Sequence, residues 1–228
     1  MARIDLSEQS VRELNADLHK LAPDAGSNGW EIVNPKGRHS IAVGVDAPID
    51  IEILGHVGYY CGGMNKQASI TVNGSAGVGV AENIMSGTVH VKGDVSQSAA
   101  ATGCGGLLVV DGSASARCGI SMKGVDIVVK GNIGHMSAFM AQAGNLVVLG
   151  DAGDALGDSI YEAKLFVRGT VKSLGADCIE KEMGDEHHSL LRELLDKAGL
   201  EEVETSSFRR YGSARELYNF KVDNAAAY

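Results

Sequence analysis

Pairs of apolar residues recur along the chain, each pair spaced by two and each followed two residues later by a glycine. They are Ile51 and Ile53 ahead of Gly55, Ile70 and Val72 ahead of Gly74, Val89 and Val91 ahead of Gly93, and Leu108 and Val110 ahead of Gly112. The series continues with Ile127 and Val129 before Gly131, Leu146 and Val148 before Gly150, and Leu165 and Val167 before Gly169. Each step is 19 residues without insertion. A spacing of two places both side chains on one face of a strand, and Val and Ile favour that conformation. A strict period of this length marks a solenoid of stacked units.

Other positions keep their character in the same register. Two residues after the glycine stand Val57, Ala76, Val95, Ala114, Ile133, Ala152 and Val171, a further inward column. One residue after it stand His56, Ser75, Asp94, Ser113, Asn132, Asp151 and Thr170, mostly turn-formers, which suits a glycine at positive φ on a corner. Seven residues after it come only Gly62, Ala81, Ala100, Gly119, Ala138, Gly157 and Ala176, so the wall there runs too close to the interior for larger side chains. A leucine-rich repeat would need a helical segment where this chain has Gly, Ala and Ser, and a hexapeptide solenoid would need a period of six. The pattern therefore predicts an all-β solenoid, a right-handed single-stranded parallel β-helix with 19-residue coils over residues 51–183. Coils stacked about 4.8 Å apart would make seven of them span about 29 Å.

Open solenoid ends need covers. Residues 1–50 predict a cap: a helix capped by Ser7 with Val11, Leu14, Leu18 and Leu21 on one face, stopped by Pro23, then irregular early strands from Trp30 to Pro48. Residues 184–228 predict a second helix opening at Asp185, with Leu190, Leu191, Leu194, Leu195 and Ala198 as its apolar stripe and Gly199 as its stop, followed by an extended arm. The arm carries Phe208, Arg209, Arg210, Tyr211, Arg215, Tyr218, Phe220, Lys221 and Tyr228. Aromatics and arginines at this density anchor interfaces. An arm beyond the last helix is expected to miss the coil's own core and to lie across a neighbouring subunit. Three residues before each glycine, on the outward strand face, the column runs Glu52, Thr71, His90 and then Val109, Val128, Val147 and Phe166. Four large apolar side chains in the open would be unusual. Either the second helix covers them, which is the expected arrangement, or a partner does.

Charge and composition narrow the function. Twenty Lys and Arg against 29 Asp and Glu leave a formal charge of −9, which disfavours nucleic acid as the partner. The amino-terminal MARIDLSEQS is polar, and the uncharged run from Gly131 to Gly150 is interrupted by Asn132, His135, Gln142 and Asn145, so a cytoplasmic protein with no membrane span is expected. The four cysteines, Cys61, Cys104, Cys118 and Cys178, form no CxxC pair. Cys61 and Cys118 share a column but lie three coils, about 14 Å, apart, too far for a disulfide. All four read as buried reduced thiols. Asp158 and Asp177 fall in one column of adjacent coils with Asp154 nearby, the arrangement by which β-helical carbohydrate enzymes gather carboxylates. A solvated turn accounts for them equally well in chemistry and more simply. His56, His90 and His135 occupy different columns and converge on nothing.

The spacing Gly-x2-Gly-x3-Gly is complete at Gly55-Gly58-Gly62 and Gly150-Gly153-Gly157, and softened to Ala or Ser in other coils. It resembles the C-terminal β-helix domain of the glutamate synthase large subunit, a family shared with a subunit of formylmethanofuran dehydrogenase. The closing segment FRRYGSARELYNFKVDNAAAY is similar to the end of the β-helical subunits of N-methylglutamate synthases. The resemblance implies a non-catalytic subunit that bridges a class II amidotransferase-like subunit and an FMN-binding, glutamate synthase-like one. It implies no cofactor in this chain, with FMN and an iron–sulfur cluster in a partner, and a complex that converts glutamate and methylamine to N-methylglutamate and ammonia. An N-terminal-nucleophile cysteine would follow Met1, where this chain has Ala2. A stand-alone carbohydrate-active enzyme using the aspartate column is the rival reading, and the equivalent subunit of another oxidoreductase is a third.

Overall fold

A computed structural model describes residues 2–22 and 29–217. Strands β1 (Ala2–Asp5), β2 (Trp30–Val33), β3 (Asp50–Leu54), β4 (Ser69–Val72), β5 (Thr88–Val91), β6 (Leu107–Val110), β7 (Lys123–Val129), β8 (Ala143–Val148) and β9 (Lys164–Val167) stack in parallel in chain order. The protein is a parallel β-solenoid of about seven turns with 19-residue coils and two helices. Register holds the apolar columns together: Ile51 pairs with Ile70, Ile70 with Val89, Val89 with Leu108, Leu108 with Ile127, Ile127 with Leu146 and Leu146 with Leu165. All seven side chains are at most 1% exposed. The second inward column is stacked by single bridges from Val57 through Ala76, Val95, Ala114, Ile133 and Ala152 to Val171.

The third wall is neither strand nor helix. In each of seven coils three alternate residues adopt left-handed φ: Ser40, Ala42 and Gly44; Tyr60, Gly62 and Met64; Gly79, Ala81 and Asn83; and so on to Ala155, Gly157 and Ser159. Their N–H groups bind the coils to each other. Tyr60 and Met64 donate forward to the carbonyls of Val78 and Glu82, both at 2.8 Å, while Gly62 donates back to Ile41 at 3.0 Å. The middle residue faces inward, and Ala81, Ala100 and Ala138 are fully buried. The small-residue column is therefore set by the crowded interior, since Tyr60, Met64 and Met140 carry large side chains outward on the same left-handed backbone.

At the corner the structure revises the role expected of the glycines. Of the seven, Gly55 alone has a positive φ. The others lie directly over the backbone of the coil before: a Cβ on Gly74 would stand 2.7 Å from the Gly55 carbonyl carbon, and one on Gly131 2.7 Å from the Gly112 oxygen. Their N–H groups run a ladder, Gly93 to Gly74 at 3.0 Å, Gly112 to Gly93 at 3.1 Å and Gly131 to Gly112 at 2.9 Å, continuing to Gly169. The next column forms a parallel ladder from side chain to backbone. His56 accepts from Ser75 N–H, Ser75 from Asp94, Asp94 from Ser113, Ser113 from Asn132, Asn132 from Asp151 and Asp151 from Thr170. Each position therefore supplies a side-chain acceptor within reach of the next coil's N–H, a demand that turn propensity alone does not make.

The ends differ from expectation in four places. Helix α1 (Val11–Leu18) is capped by Ser10, which forms a capping box with Glu13, whereas the Ser7 hydroxyl donates to Asp5. Leu6, Leu14 and Leu18 are buried and close the solenoid's first end. Trp30–Val33 is a regular strand in register with Ile51–Leu54, and β1 extends the stack by one more. The last coil is one residue short, since Leu156 pairs with Leu174. Gly175, whose N–H donates to Leu156, therefore takes the small-residue place assigned to Ala176. Pro23 lies outside the described residues.

The largest departure is at the carboxyl end. Strand β11 (Arg209–Ser213) does not leave the molecule but inserts, antiparallel to both neighbours, between β9 and β10 (Cys178–Lys181). Tyr211 joins the coil core at 2% exposure. The expectation that this part of the arm misses the core was incorrect, because an edge strand with unpaired backbone groups offers the nearest partner. Helix α2 (Asp185–Lys197) does cover the outward apolar stripe: Val109, Val128, Val147 and Phe166 are at most 2% exposed and pack with Leu191, Leu194, Leu195 and Phe208. Burying each of those three leucines contributes about 1.5–3 kcal/mol. Gly199, at φ 68, terminates the helix as expected.

Candidate functional site

The residues expected to contact partners divide into three groups. Val109, Val128, Val147 and Phe166 lie under α2 and are unavailable to another chain. Phe208 and Tyr211 are buried, and the arginines beside them hold this chain's own backbone. Arg209 donates to the Gly169 carbonyl at 3.0 Å, and Arg210 donates twice to the Glu182 carbonyl at 2.9 and 2.8 Å. Arg215 is exposed, and one of its terminal nitrogens donates to both carboxylate oxygens of Glu162, at 2.8 and 3.0 Å. Tyr218 and Phe220 lie outside the described residues.

The three aspartates do not converge on a reaction centre. The shortened last coil sets Asp158 level with Ala176, whose N–H donates to it at 3.2 Å, so Asp158 and Asp177 do not share a column. Asp177 is instead a clamp on the closing segment. It accepts from the Ser213 hydroxyl at 2.6 Å and from the N–H groups of Glu216 and Leu217 at 2.9 and 3.3 Å. Desolvation opposes its ionisation, but these donors outweigh it and hold its carboxyl below the ordinary range. Asp154 is likewise lowered, chiefly by its 2.7 Å bond to Lys172. A carboxyl that donates a proton to a glycosidic oxygen needs the opposite shift.

On the open half of the sheet face, His90 contacts Asp111 at 2.9 Å, and Asp111 also pairs with Lys130 at 2.9 Å. Burial works against the Asp111 charge, yet His90 and Lys130 bring its carboxyl below the usual value. The partners sit in neighbouring strands of a partly solvated ladder, where such pairs contribute little. Cys61, Cys118 and Cys178 are buried, their thiols pushed up to about 12 by desolvation. Cys104, expected to be buried, is exposed, because its column points away from the coil. Among the described residues no three His, Cys, Asp or Glu side chains are grouped to hold a metal, and no helix is long and apolar enough to cross a membrane.

One concavity does collect charge. Where β9, β11 and β10 lie side by side, Lys164, Arg210 and Lys181 project from the outward face around a cleft of about 190 Å³, with Arg215, Glu162 and Tyr161 on its rim. Arg210 pairs in register with Phe166 on one side and Lys181 on the other, and Lys164 precedes Phe166 by two on the same face. The lysines were missed in the sequence because strands that arrive from opposite directions share no period. Only the outward position of Lys164, in the column of Asp126 and Asn145, was readable.

No family model matches the chain. Over 228 residues, 100% of each chain, it is 63% identical to Protein GlxC of Rhizobium meliloti (strain 1021). At that identity over its full length, the chain belongs to the family of GlxC.

Proposed function

We propose that this protein is a non-catalytic scaffold subunit of a glutamate synthase-related complex of the N-methylglutamate synthase type, joining an amidotransferase-like subunit to an FMN-binding one. The observation that carries the reading is the stacking of glycine on glycine from coil to coil, because Gly74 over Gly55, and, three residues on, Gly77 over Gly58 and Gly153 over Gly134, give a physical reason for the first two glycines of the Gly-x2-Gly-x3-Gly spacing that resembles the glutamate synthase β-helix. Its chemical groups support the same reading: the carboxylates, arginines and hydroxyls singled out in the sequence serve the fold. Flavin and iron–sulfur chemistry are assigned to the partners, and the partner-facing part of the arm to residues from Arg215 onward. The carbohydrate-enzyme rival loses its support with the dispersal of Asp154, Asp158 and Asp177.

The test is affinity purification from the native source, followed by mass spectrometry and absorption spectroscopy. Stoichiometric recovery of FMN-binding and class II amidotransferase-like chains, with a flavin spectrum that the isolated subunit lacks, is the expected result. Flavin held by the isolated chain, or a chain that purifies without such partners, overturns the proposal. Glycan cleavage abolished by Asp158→Asn would establish the rival.

A further inference from the structure

The fold accounts for only part of the cationic cleft, through the bonds of Lys181 and Arg210 to backbone carbonyls. In a protein of formal charge −9, Lys164, Lys181 and Arg210 converge there from three adjacent strands. Among the described residues none of the three makes an ion pair, although Glu186 lies near enough to Arg210 to favour its charge; the one carboxylate on the rim, Glu162, is engaged by Arg215. Structural bonds use only part of their donor capacity. Lys181 gives one proton to the Ser213 carbonyl at 2.8 Å, and Arg210 uses Nε and one terminal nitrogen on Glu182. Gly212 leaves room in the wall: a Cβ there would meet nothing closer than Lys181 Cδ at 3.4 Å.

We infer that this cleft is a binding site for a small oxyanion, a carboxylate or phosphate group, held by Lys164, Lys181 and Arg210. Two ammonium groups and a guanidinium edge around about 190 Å³ match the size and charge of such a group. The proton on nearby His187 is disfavoured by burial and then by Arg210 and Lys164, with Glu186 acting the other way. The inference does not depend on which complex the protein joins.

Calorimetric titration of the full chain at low ionic strength, with inorganic phosphate and separately with glutarate, tests it. Saturable one-site binding of either anion is expected, and which one binds identifies the ligand as phosphate-bearing or carboxylate-bearing. Lys164→Met should weaken binding at least about tenfold, Lys164→Arg should retain it, and Gly212→Val should abolish it by filling the cleft. The absence of saturable binding by either anion, or affinity unchanged in a folded Lys164→Met protein, overturns the inference.

Discussion

At the scale of single residues, the corner glycines and the inward alanines are small for different reasons, and each reason makes a prediction. Gly131 has no special φ but sits on the Gly112 carbonyl, so Gly131→Ala must push two coils apart. A loss of unfolding free energy on the order of 1–3 kcal/mol is expected, read as a lower urea midpoint with no change in the slope. Ala100 is fully buried against the interior, so Ala100→Leu overpacks the coil and should cost at least as much. Thermal melts that leave both variants at the parent temperature would contradict the ladder. The sequence made these columns legible because each repeats every coil. Their causes were not legible, since a column of glycines looks the same whether it answers to φ or to a neighbour's backbone.

At the scale of elements, the coil strands and α2 were readable from their own periodicity, and β11 was not. Five residues, Arg209 to Ser213, are too few for a pattern, and their partners lie in segments far away along the chain. Aromatic and arginine-rich composition also has two readings. A docking arm and a closing strand both bury Phe and Tyr and aim guanidinium groups at carbonyls. The structure selects the second for Phe208 to Ser213, which reverses what a truncation should do. Removing residues 206–228 strips Tyr211 from the core and Phe208 from beneath α2, and reopens the edge of β9. The truncated chain should melt well below the parent and aggregate, whereas removal of residues 218–228, which keeps every named donor to Asp177, should leave most of the transition intact. Differential scanning calorimetry of both chains separates the two segments. The one-residue contraction of the last coil escaped notice because Gly175 and Ala176 are both small, so either fills the column.

At the scale of the whole molecule, the sheet runs unbroken from β1 to β10, and its closure depends on Asp177. That carboxyl lies below its ordinary value of 3.8 in the folded protein. Its contribution to stability is therefore complete above that pH and is lost as the pH falls toward the lowered value. The parent's melting temperature should accordingly fall on acidification through this range, and Asp177→Ala should start lower at neutral pH and lose less across the same acid window. An equal acid response in both proteins would remove Asp177 from its role as the clamp.

The insertion of β11 also has a consequence in time. Forty residues separate Arg209 from Gly169, whose carbonyl it binds. At about 5–20 residues per second of synthesis, β9 waits roughly 2–8 s for the strand that will occupy its edge. During that interval the nascent chain displays a slot already shaped for one peptide, and on a crowded polysome the first matching strand to arrive could belong to the next copy in line.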